Sequence, residues 1–341
     1  MRRCRPPRPE AGNRSATRPP RSRPRRPTSG IAPRSSPRIA RSTATSRGWK
    51  RRWRRAGSVA AGGGSPCSSN GGACGRAGAL ATDRTSDSPW LPPAGRDNPA
   101  AMARPPPLPP PVARMMAEIE RRCREGRTIV LLRHSVRGPI RTTRLEGAWN
   151  TPLTPRGRAL AEVFGRRLPA GCRVRVWWSP VPRCAETAAH LVRGARAAGR
   201  RARLAGPRWK LAASYVHDPA DLVRRFAALG PRGFVRDWRA GRMPADRIDP
   251  LPAAAAALWR HLLRGSRATR PGTLDLHVTH DLNLVALLSA VRDVTKRTFR
   301  WPGYLEGVVL APRGARVEWW WRGRRRRATI AAVAGRRPRG R

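Results

Sequence analysis

The stretch TIVLLRHSVR, residues 128–137, constrains the fold more than any other part of the chain. Its first half is a short run of apolar residues, which is typical of a strand buried on both faces of a sheet. The run ends directly in Arg133 and His134, and Arg137 follows after two residues. Because open α/β sheets bind ligands at the carboxyl ends of their strands, these polar residues indicate a ligand site.

Three further stretches place polar residues at the end of a strand or at the start of a helix. The stretch TLDLHVTHD, residues 273–281, is a second apolar strand that ends in a histidine and an aspartate. The stretch LTPRG, residues 153–157, has the threonine cap and first-turn proline of a helix start. The stretch SPVPRCAETA, residues 179–188, opens another helix, whose first turn carries Arg183.

Strand and helix patterns alternate from residue 128 to residue 321. This alternation predicts an α/β fold with a mostly parallel sheet that is flanked by helices and has an antiparallel edge. Residues 210–265 are mostly helical in pattern, are interrupted by prolines, and are predicted to form a helical insert over the site. The predicted strands lie at about 128–134, 172–178, 202–205, 273–279, 304–311 and 315–321, and helices at about 155–168, 181–199 and directly after 281.

The four stretches, in this order, resemble the signature of the histidine phosphatase superfamily, which has the phosphoglycerate mutase-like fold. That signature is an Arg-His-Gly end of the first strand, a Leu-Thr-x-x-Gly helix start, a Ser-x-x-Arg-x-x-x-Thr-Ala helix and a late histidine. The resemblance covers about residues 127–320. Ser135 stands where the family has glycine, a residue that lets the backbone approach a ligand closely.

Two features are similar to the acid phosphatase branch of this family. Arg137 is a second arginine, three residues after the first histidine, and Asp281 follows the late histidine directly. The mutase branch instead takes its proton donor from a glutamate in mid-chain, whereas this sequence has no glutamate between Glu186 and Glu306.

The resemblance implies a phosphomonoester hydrolase that acts through a phosphohistidine intermediate on His134. It implies that Asp281 protonates the leaving oxygen and then activates the water that releases the phosphate. Asp218, in the middle segment, is an alternative proton donor, and Asp281 is alternatively the cap of a helix. The implied phosphate ligands are Arg133, Arg137, Arg183 and His280.

The resemblance also implies a small phosphorylated substrate, no cofactor and no metal. The six histidines and six cysteines show none of the spacing that is typical of zinc ligands. Two other functions remain as hypotheses: a catalytically weak relative that binds phosphorylated ligands in the same pocket, and a basic nucleic-acid-binding protein. The sequence indicates neither the identity of the substrate nor the oligomeric state.

The composition is extreme in charge. The 72 lysines and arginines outnumber the 20 acidic residues, so the formal net charge is +52, spread along the whole chain. This charge favours non-specific binding to polyanions with a strong dependence on salt. The cysteines form no C-x-x-C pair, which fits a reducing compartment. With no signal-peptide pattern and no long apolar run, we expect no membrane span and a cytoplasmic location.

Residues 1–114 are rich in arginine, proline, serine and glycine and poor in large apolar residues. Such a segment cannot bury enough apolar surface to offset the entropy of ordering, so we predict that it is disordered. A further hypothesis is that it is not part of the natural protein, which would then start at Met115 or Met116. The predicted catalytic domain spans residues 115–321, and residues 322–341 are predicted to form a solvated basic tail.

Overall fold

The computed structural model of the protein describes residues 106–140, 144–264 and 272–335. The prediction that residues 1–105 are disordered lies outside the described ranges. Among the described residues, no helix is long and apolar enough to cross a membrane.

The centre of the structure is one sheet. Its strands are β1 (Thr128–Arg133), β2 (Arg173–Trp178), β3 (Ala202–Pro207), β4 (Thr273–Thr279), β5 (Gly307–Arg313), β6 (Arg316–Trp321) and β7 (Arg324–Thr329). They lie in the order β3-β2-β4-β1-β5-β6-β7. Strands β3, β2, β4 and β1 are parallel, and β5, β6 and β7 pair in antiparallel fashion. The predicted α/β fold is confirmed, with an antiparallel part larger than the predicted edge.

Helices cover both faces of this sheet. They are α1 (Pro110–Glu125), α2 (Leu145–Asn150), α3 (Pro155–Arg166), α4 (Pro182–Ala197), α5 (Pro219–Arg239), α6 (Leu251–Leu263), α7 (Asp281–Ser289) and α8 (Ile330–Ala334). Helices α1, α3 and α4 supply one hydrophobic core, and α5, α6, α7 and α8 supply the core on the opposite face.

Strand β1 lies between these two cores, and all of its residues are buried. Ile129 and Leu131 belong to the core on the side of α5 to α8, whereas Val130 and Leu132 belong to the core on the side of α1, α3 and α4. Alternate residues of a strand point to opposite faces. The unbroken apolar run is therefore what a strand between two helical layers requires.

Helices α3 and α4 begin where the sequence predicts. The hydroxyl oxygen of Thr154 accepts a 3.0 Å hydrogen bond from the N–H of Gly157, and a proline occupies the first turn of α3. Helix α4 begins at Pro182, which places Arg183 in its first turn. Proline is tolerated at these positions because the first N–H groups of a helix have no intrahelical acceptor.

The structure includes helix residues that the sequence assigns to the disordered segment. Helix α1 begins at Pro110, and Leu108 and Val112 are buried in the same core as Met115. The assignment of residues 106–114 to the disordered segment is therefore wrong. A proline-rich composition is compatible with a helix start, and the burial of two apolar side chains by distant strands is not visible in local composition.

The fold also continues beyond residue 321. Strand β7 pairs with β6 and is followed by α8, so residues 322–335 belong to the fold and are not a tail, while the four arginines of β7 are exposed as predicted. Four consecutive arginines in β7 show no apolar alternation. The strand is held by pairing with its neighbour and by ion pairs such as Arg325 with Glu118, at 3.0 Å.

The predicted helical insert, residues 210–265, contains α5 and α6. Helix α5 is kinked at Gly230, where φ is 63°, directly before Pro231. In the first half of α5, the ring of Phe226 lies 6.2 Å from the ring of Trp301, measured between centroids. Trp301 in turn donates to Asp281, the second residue after β4, so the insert borders the carboxyl ends of the parallel strands.

Candidate active site

The two histidines of the sequence pattern meet at the carboxyl ends of β1 and β4. These strands are neighbours, with Arg133 opposite Thr279, and the N–H of His134 donates a 2.8 Å hydrogen bond to the carbonyl oxygen of Thr279. His134 and His280 each follow the last residue of their strand. Their ring centroids are 5.6 Å apart, with the rings edge to face.

His134 has one ring nitrogen that faces a carbonyl oxygen and one that faces an arginine. Its Nδ1 lies 2.8 Å from the carbonyl oxygen of Ser135, and because a carbonyl only accepts, this nitrogen carries the proton. The Nε2 atom accepts a 3.2 Å hydrogen bond from Nε of Arg183. Burial lowers the pKa of His134 well below its ordinary value, and electrostatic interactions with Arg183, His280 and Arg133 lower it further. The ring is therefore a neutral imidazole with a lone pair on Nε2.

Arg183 connects three parts of the site. One terminal nitrogen donates to the carbonyl oxygens of Ala148, at 3.0 Å, and Trp149, at 3.2 Å, at the end of α2. The other terminal nitrogen lies 3.2 Å from Nδ1 of His280. Burial lowers the pKa of Arg183 to about 10, and the charge of Arg137 acts in the same direction. The guanidinium thus remains charged at neutral pH.

His280 is held in a fixed tautomer. Its Nδ1 accepts from Arg183, so its Nε2 carries the proton and donates to the hydroxyl oxygen of Ser179 at 3.0 Å. Burial lowers the pKa of His280 well below its ordinary value, as do the charges of Arg183, Arg133 and Arg137. Both ring nitrogens of His280 are therefore engaged, one with Ser179 and one with Arg183.

Arg133 and Arg137 complete the group of predicted phosphate ligands. Arg133 donates a 2.6 Å hydrogen bond to the carbonyl oxygen of Pro302, and its guanidinium lies 4.2 Å from the centroid of the Tyr304 ring. Arg137 donates to the carbonyl oxygen of Gly138 at 2.7 Å. Because the charge of Arg137 lowers the pKa of both Arg183 and His280, it lies close enough to contribute to the same positive field.

Asp281, the predicted proton donor, faces Arg133. Its Oδ2 atom lies 3.0 Å from a terminal nitrogen of Arg133 and accepts a 3.0 Å hydrogen bond from the indole N–H of Trp301. Its Oδ1 atom accepts from the N–H of Leu282 at 2.8 Å. The N-cap of α7 is His280, so Asp281 is the first residue of the helix and not its cap.

Asp218, the alternative proton donor, has the contacts of a helix cap. It is the N-cap of α5, and its side chain accepts a 3.0 Å hydrogen bond from the N–H of Asp221. It also forms an ion pair with Arg247. Partial burial would raise the pKa of Asp218, but these hydrogen bonds outweigh burial and lower it. The carboxylate is therefore ionised and already engaged.

Ser135 joins the site to the start of α3. Its N–H donates a 3.1 Å hydrogen bond to the hydroxyl of Thr187, and its own hydroxyl donates a 2.6 Å bond to the carbonyl oxygen of Gly157. Gly157 packs so closely that a Cβ atom there would overlap the carbonyl oxygen of Val136. The segment after His134 is thus fixed against a helix end by backbone contacts.

The sequence did not indicate the aromatic residues of the loop between α7 and β5. Trp301 donates to Asp281, and Tyr304 lies beside both Arg133 and His134, at 5.7 Å between ring centroids in the latter case. Their only signal is a tryptophan and a tyrosine close together directly before a strand, which is too common to mark a site. Among the described residues, no three histidine, cysteine or acidic side chains are grouped as metal ligands.

Residues 129–203 match the family model of the histidine phosphatase superfamily (branch 1). The matched segment runs from β1 into β3 and includes Arg133, His134 and Arg183. The family that the four stretches resemble is thereby confirmed, while the placing in the acid phosphatase branch stays a prediction. No curated protein sequence matches this chain.

Three solved structures illustrate what the fold is similar to. A phosphoglycerate mutase from Bacillus anthracis str. Sterne is 15% identical over 61% of this chain and 95% of that one, with a TM-score of 0.35. A mycobacterial glucosyl-3-phosphoglycerate phosphatase is 17% identical over 58% and 100%, with a TM-score of 0.40. A phosphoserine phosphatase mutant from Entamoeba histolytica is 14% identical over 61% and 99%, with a TM-score of 0.38. At these values the likeness carries no argument about activity.

Proposed function

Because residues 129–203 belong to the histidine phosphatase superfamily, which indicates phosphatase or mutase activity of the histidine type, we propose that this protein is a phosphomonoester hydrolase. The proposed reaction proceeds through a phosphohistidine intermediate on His134. The observation that carries this proposal is the state of that ring, a buried neutral imidazole whose Nε2 lone pair faces Arg183 at 3.2 Å.

In the first step, Nε2 of His134 attacks phosphorus as the bond from phosphorus to the leaving oxygen breaks. Asp281 gives its proton to that oxygen, so that an alcohol leaves. In the second step, Asp281 takes a proton from water, and the hydroxide displaces the imidazole from phosphorus. Inorganic phosphate and the neutral histidine result.

The phosphate in this proposal is held by Arg133, Arg137, Arg183 and His280. Forked guanidinium groups match phosphate oxygens, and charge stabilisation is most of what phosphoryl transfer asks of a protein. Arg133 at present donates to Asp281. A bound phosphate dianion would compete for this guanidinium and so free the carboxyl group to face the leaving oxygen.

The choice of hydrolase over mutase rests on the proton donor. The sequence lacks a glutamate between residues 186 and 306, whereas Asp281 lies directly after the late histidine. We propose a small phosphorylated compound as the substrate and a cytoplasmic location. Within the described ranges, Cys123, Cys172 and Cys184 are buried and are not joined in a disulfide.

The test is hydrolysis of 4-nitrophenyl phosphate by the wild type and by His134→Ala and Asp281→Asn. We expect turnover by the wild type, none by His134→Ala, and slower turnover by Asp281→Asn. His217→Ala is the matched control, because His217 is bound to Asp249 at 2.8 Å and lies outside the proposed machinery. Acid-labile radioactive phosphate on the wild type alone, after quenching, would identify the intermediate.

A folded wild type that binds vanadate at this site but turns over neither aryl nor alkyl phosphates would contradict the hydrolase. That result would favour the alternative, a relative that binds phosphorylated ligands without cleaving them. The variant Ser135→Gly, which restores the family residue, would then separate a blocked pocket from an inactive one.

A second candidate function, binding of nucleic acid through its phosphates, is favoured by one surface. Between α1 and β7 lies a groove of about 700 Å³. Its lining is six arginines and two glutamates, namely Arg121, Arg122, Arg313, Arg325, Arg326, Arg327, Glu125 and Glu318. One carboxylate serves more than one arginine, because Glu318 pairs with both Arg122 and Arg327. The groove therefore has more guanidinium groups than carboxylates to pair with them.

The groove is tested by the affinity for single-stranded DNA as a function of salt. Arg326→Gln with Arg327→Gln should weaken binding and reduce the salt slope by about 1.4, which is about 0.7 per lost phosphate contact. The matched control is Arg201→Gln with Arg203→Gln, which removes the same charge at the opposite edge of the sheet. Equal losses in both pairs would assign the binding to net charge alone.

A further inference from the structure

Arg322 occupies a backbone conformation that is unfavourable for arginine. With Gly323 it forms the two-residue connection between β6 and β7, and φ is positive at both residues, 46° and 80°. Turns of this kind favour asparagine or glycine at the first position, because other side chains clash there with the backbone. An unfavourable conformation is kept where other contacts of the residue outweigh its cost.

Those contacts are all made by the guanidinium group. It donates two hydrogen bonds to Oε2 of Glu306, of 3.1 Å from Nε and 2.5 Å from a terminal nitrogen. It also donates to the carbonyl oxygens of Arg300, at 3.0 Å, and Trp301, at 2.9 Å. The Glu306 side chain is only 9% exposed, so this ion pair is largely protected from solvent.

Glu306 holds the same loop from its other end. Its Oε2 atom also accepts a 2.9 Å hydrogen bond from the N–H of Gly303, and its carbonyl oxygen accepts from the N–H of Arg133 at 2.9 Å. Between Gly303 and Glu306, Leu305 has a positive φ of 56°. The carboxylate therefore fixes a strained turn, and Arg322 fixes the carboxylate.

The loop that is fixed in this way, residues 301–304, contacts Asp281 and Arg133, and its Tyr304 ring also lies 5.7 Å from the ring of His134, between centroids. The indole of Trp301 donates to Asp281 at 3.0 Å. The carbonyl oxygen of Pro302 accepts from Arg133 at 2.6 Å, and the ring of Tyr304 lies under the same guanidinium. The proton donor and one phosphate ligand thus both depend on the position of this loop.

We propose that Arg322 and Glu306 are positioning residues, which hold the 301–304 loop so that Asp281 lies against the leaving oxygen of the substrate. This inference rests on the proposed function. Neither residue touches the substrate in this account. Loss of the guanidinium would let the loop move and would misplace Asp281, while Nε2 of His134, held through Ser135 and Arg183, would stay in place.

The consequence is a dependence on the leaving group. An alkyl phosphate releases a strongly basic oxygen, which needs the proton from Asp281, whereas 4-nitrophenolate leaves almost unaided. The discriminating variant is Arg322→Asn, because asparagine suits the backbone of this turn and removes the guanidinium without straining the hairpin. Arg324→Asn is the matched control, two residues away with the same loss of charge.

For Arg322→Asn we expect kcat for an alkyl phosphate to fall about tenfold or more, since small misplacements of a catalytic group are costly. We expect a far smaller change in kcat with 4-nitrophenyl phosphate and no change in Arg324→Asn. The melting temperature should fall in Arg322→Asn, because the largely buried Glu306 carboxylate loses its partner. Arg322→Lys, which restores the charge but not the fork, should recover only part of the loss. In an Asp281→Asn background, Arg322→Asn should have little further effect.

Because Arg133 also contacts this loop, a higher KM on both substrates is compatible with the proposal, whereas equal losses of kcat on both substrates, or no loss, would overturn the positioning role. A readout that needs no turnover is the NMR signal of the Trp301 indole N–H, assigned with Trp301→Phe. We expect this signal to shift in Arg322→Asn and not in Arg324→Asn. Should the wild type cleave neither substrate, the proposed function fails while this signal still decides the inference, and an unmoved indole signal would overturn it.

Discussion

The hydroxyl of Ser135 donates a 2.6 Å hydrogen bond to the carbonyl oxygen of Gly157. Serine at this position is the one departure from the family signature next to the histidine, and its side chain is used to join the site segment to the first turn of α3. The residue is fully buried. Its hydroxyl therefore serves the packing of the loop against the helix.

The first prediction follows from this bond. Ser135→Gly removes a buried hydrogen bond and leaves the Gly157 carbonyl without this donor, which should lower the free energy of unfolding by about 1 to 3 kcal/mol. The kcat for an aryl phosphate should not change. Denaturant unfolding and steady-state kinetics on the same samples check both parts. A several-fold gain in kcat/KM would instead mean that the serine narrows the pocket.

The second prediction concerns the pH dependence of activity. Because burial and nearby positive charge lower the pKa of His134, its imidazole stays unprotonated as the pH falls through 6.5, the ordinary value. The acid limb of kcat/KM should therefore lie well below pH 6.5 and not at it. A rate profile from pH 4 to 8 with an aryl phosphate checks this. A limb centred near 6.5 would show a solvated histidine.

The third prediction is that Arg183→Lys is not a conservative change. Arg183 donates to two carbonyl oxygens and two histidine nitrogens through separate N–H groups, a pattern that a single ammonium group cannot reproduce. We expect kcat to fall about 100-fold, as for the loss of one preorganised donor to a developing charge. Arg193→Lys, on the same helix with its side chain 58% exposed, is the control and should be unaffected.

The fourth prediction concerns the buried residues that precede Met115. A protein that begins at Met115 lacks Leu108 and Val112, which are 6% and 0% exposed. Their burial should contribute about 3 kcal/mol or more to stability. We expect the protein that begins at Met115 to unfold at a lower urea concentration than a protein that begins at Met102. Equal midpoints would mean that the helix start adds nothing to the core.

The fifth prediction concerns stability in acid. Burial lowers the pKa of His277 to about 3 and that of His261 to about 4, whereas both titrate near 6.5 when unfolded. Above pH 6.5 both histidines are neutral in the folded and in the unfolded state, so they add no pH dependence to stability there. As the pH falls from 6.5 to 4 the unfolded chain takes up the protons first, so stability falls, by up to about 1.4 kcal/mol per pH unit for each histidine. Urea midpoints at several pH values check this, and His261→Gln should flatten the curve.

The parallel part of the fold was predictable because its signals are local. An unbroken apolar run such as residues 129–132 marks a strand between two helical layers, and a capped proline marks a helix start. The side chains next to these ends, such as His134 and Arg183, meet because parallel strands finish at one edge. The same short stretches of sequence therefore predicted both the strands and the side chains of the site.

What could not be predicted depends on contacts between distant segments. Strand β7 reads as a charged tail, and only its pairing with β6 and ion pairs with residues such as Glu118 make it a strand. Helix α1 is preceded by a proline run that resembles a linker. Trp301 contributes through an indole N–H, which reaches Asp281 only once the loop is folded.

Strand β7 is the last strand of the sheet, so one row of its backbone N–H and C=O groups has no neighbouring strand among the described residues. Such an edge is a template for pairing with another copy of the chain. Four consecutive arginines on it make two approaching edges repel each other. That repulsion acts over about 10 Å at 0.1 M salt and about 3 Å at 1 M. We therefore expect the protein to resist self-association at low salt and to aggregate through pairing of β7 edges as salt is added.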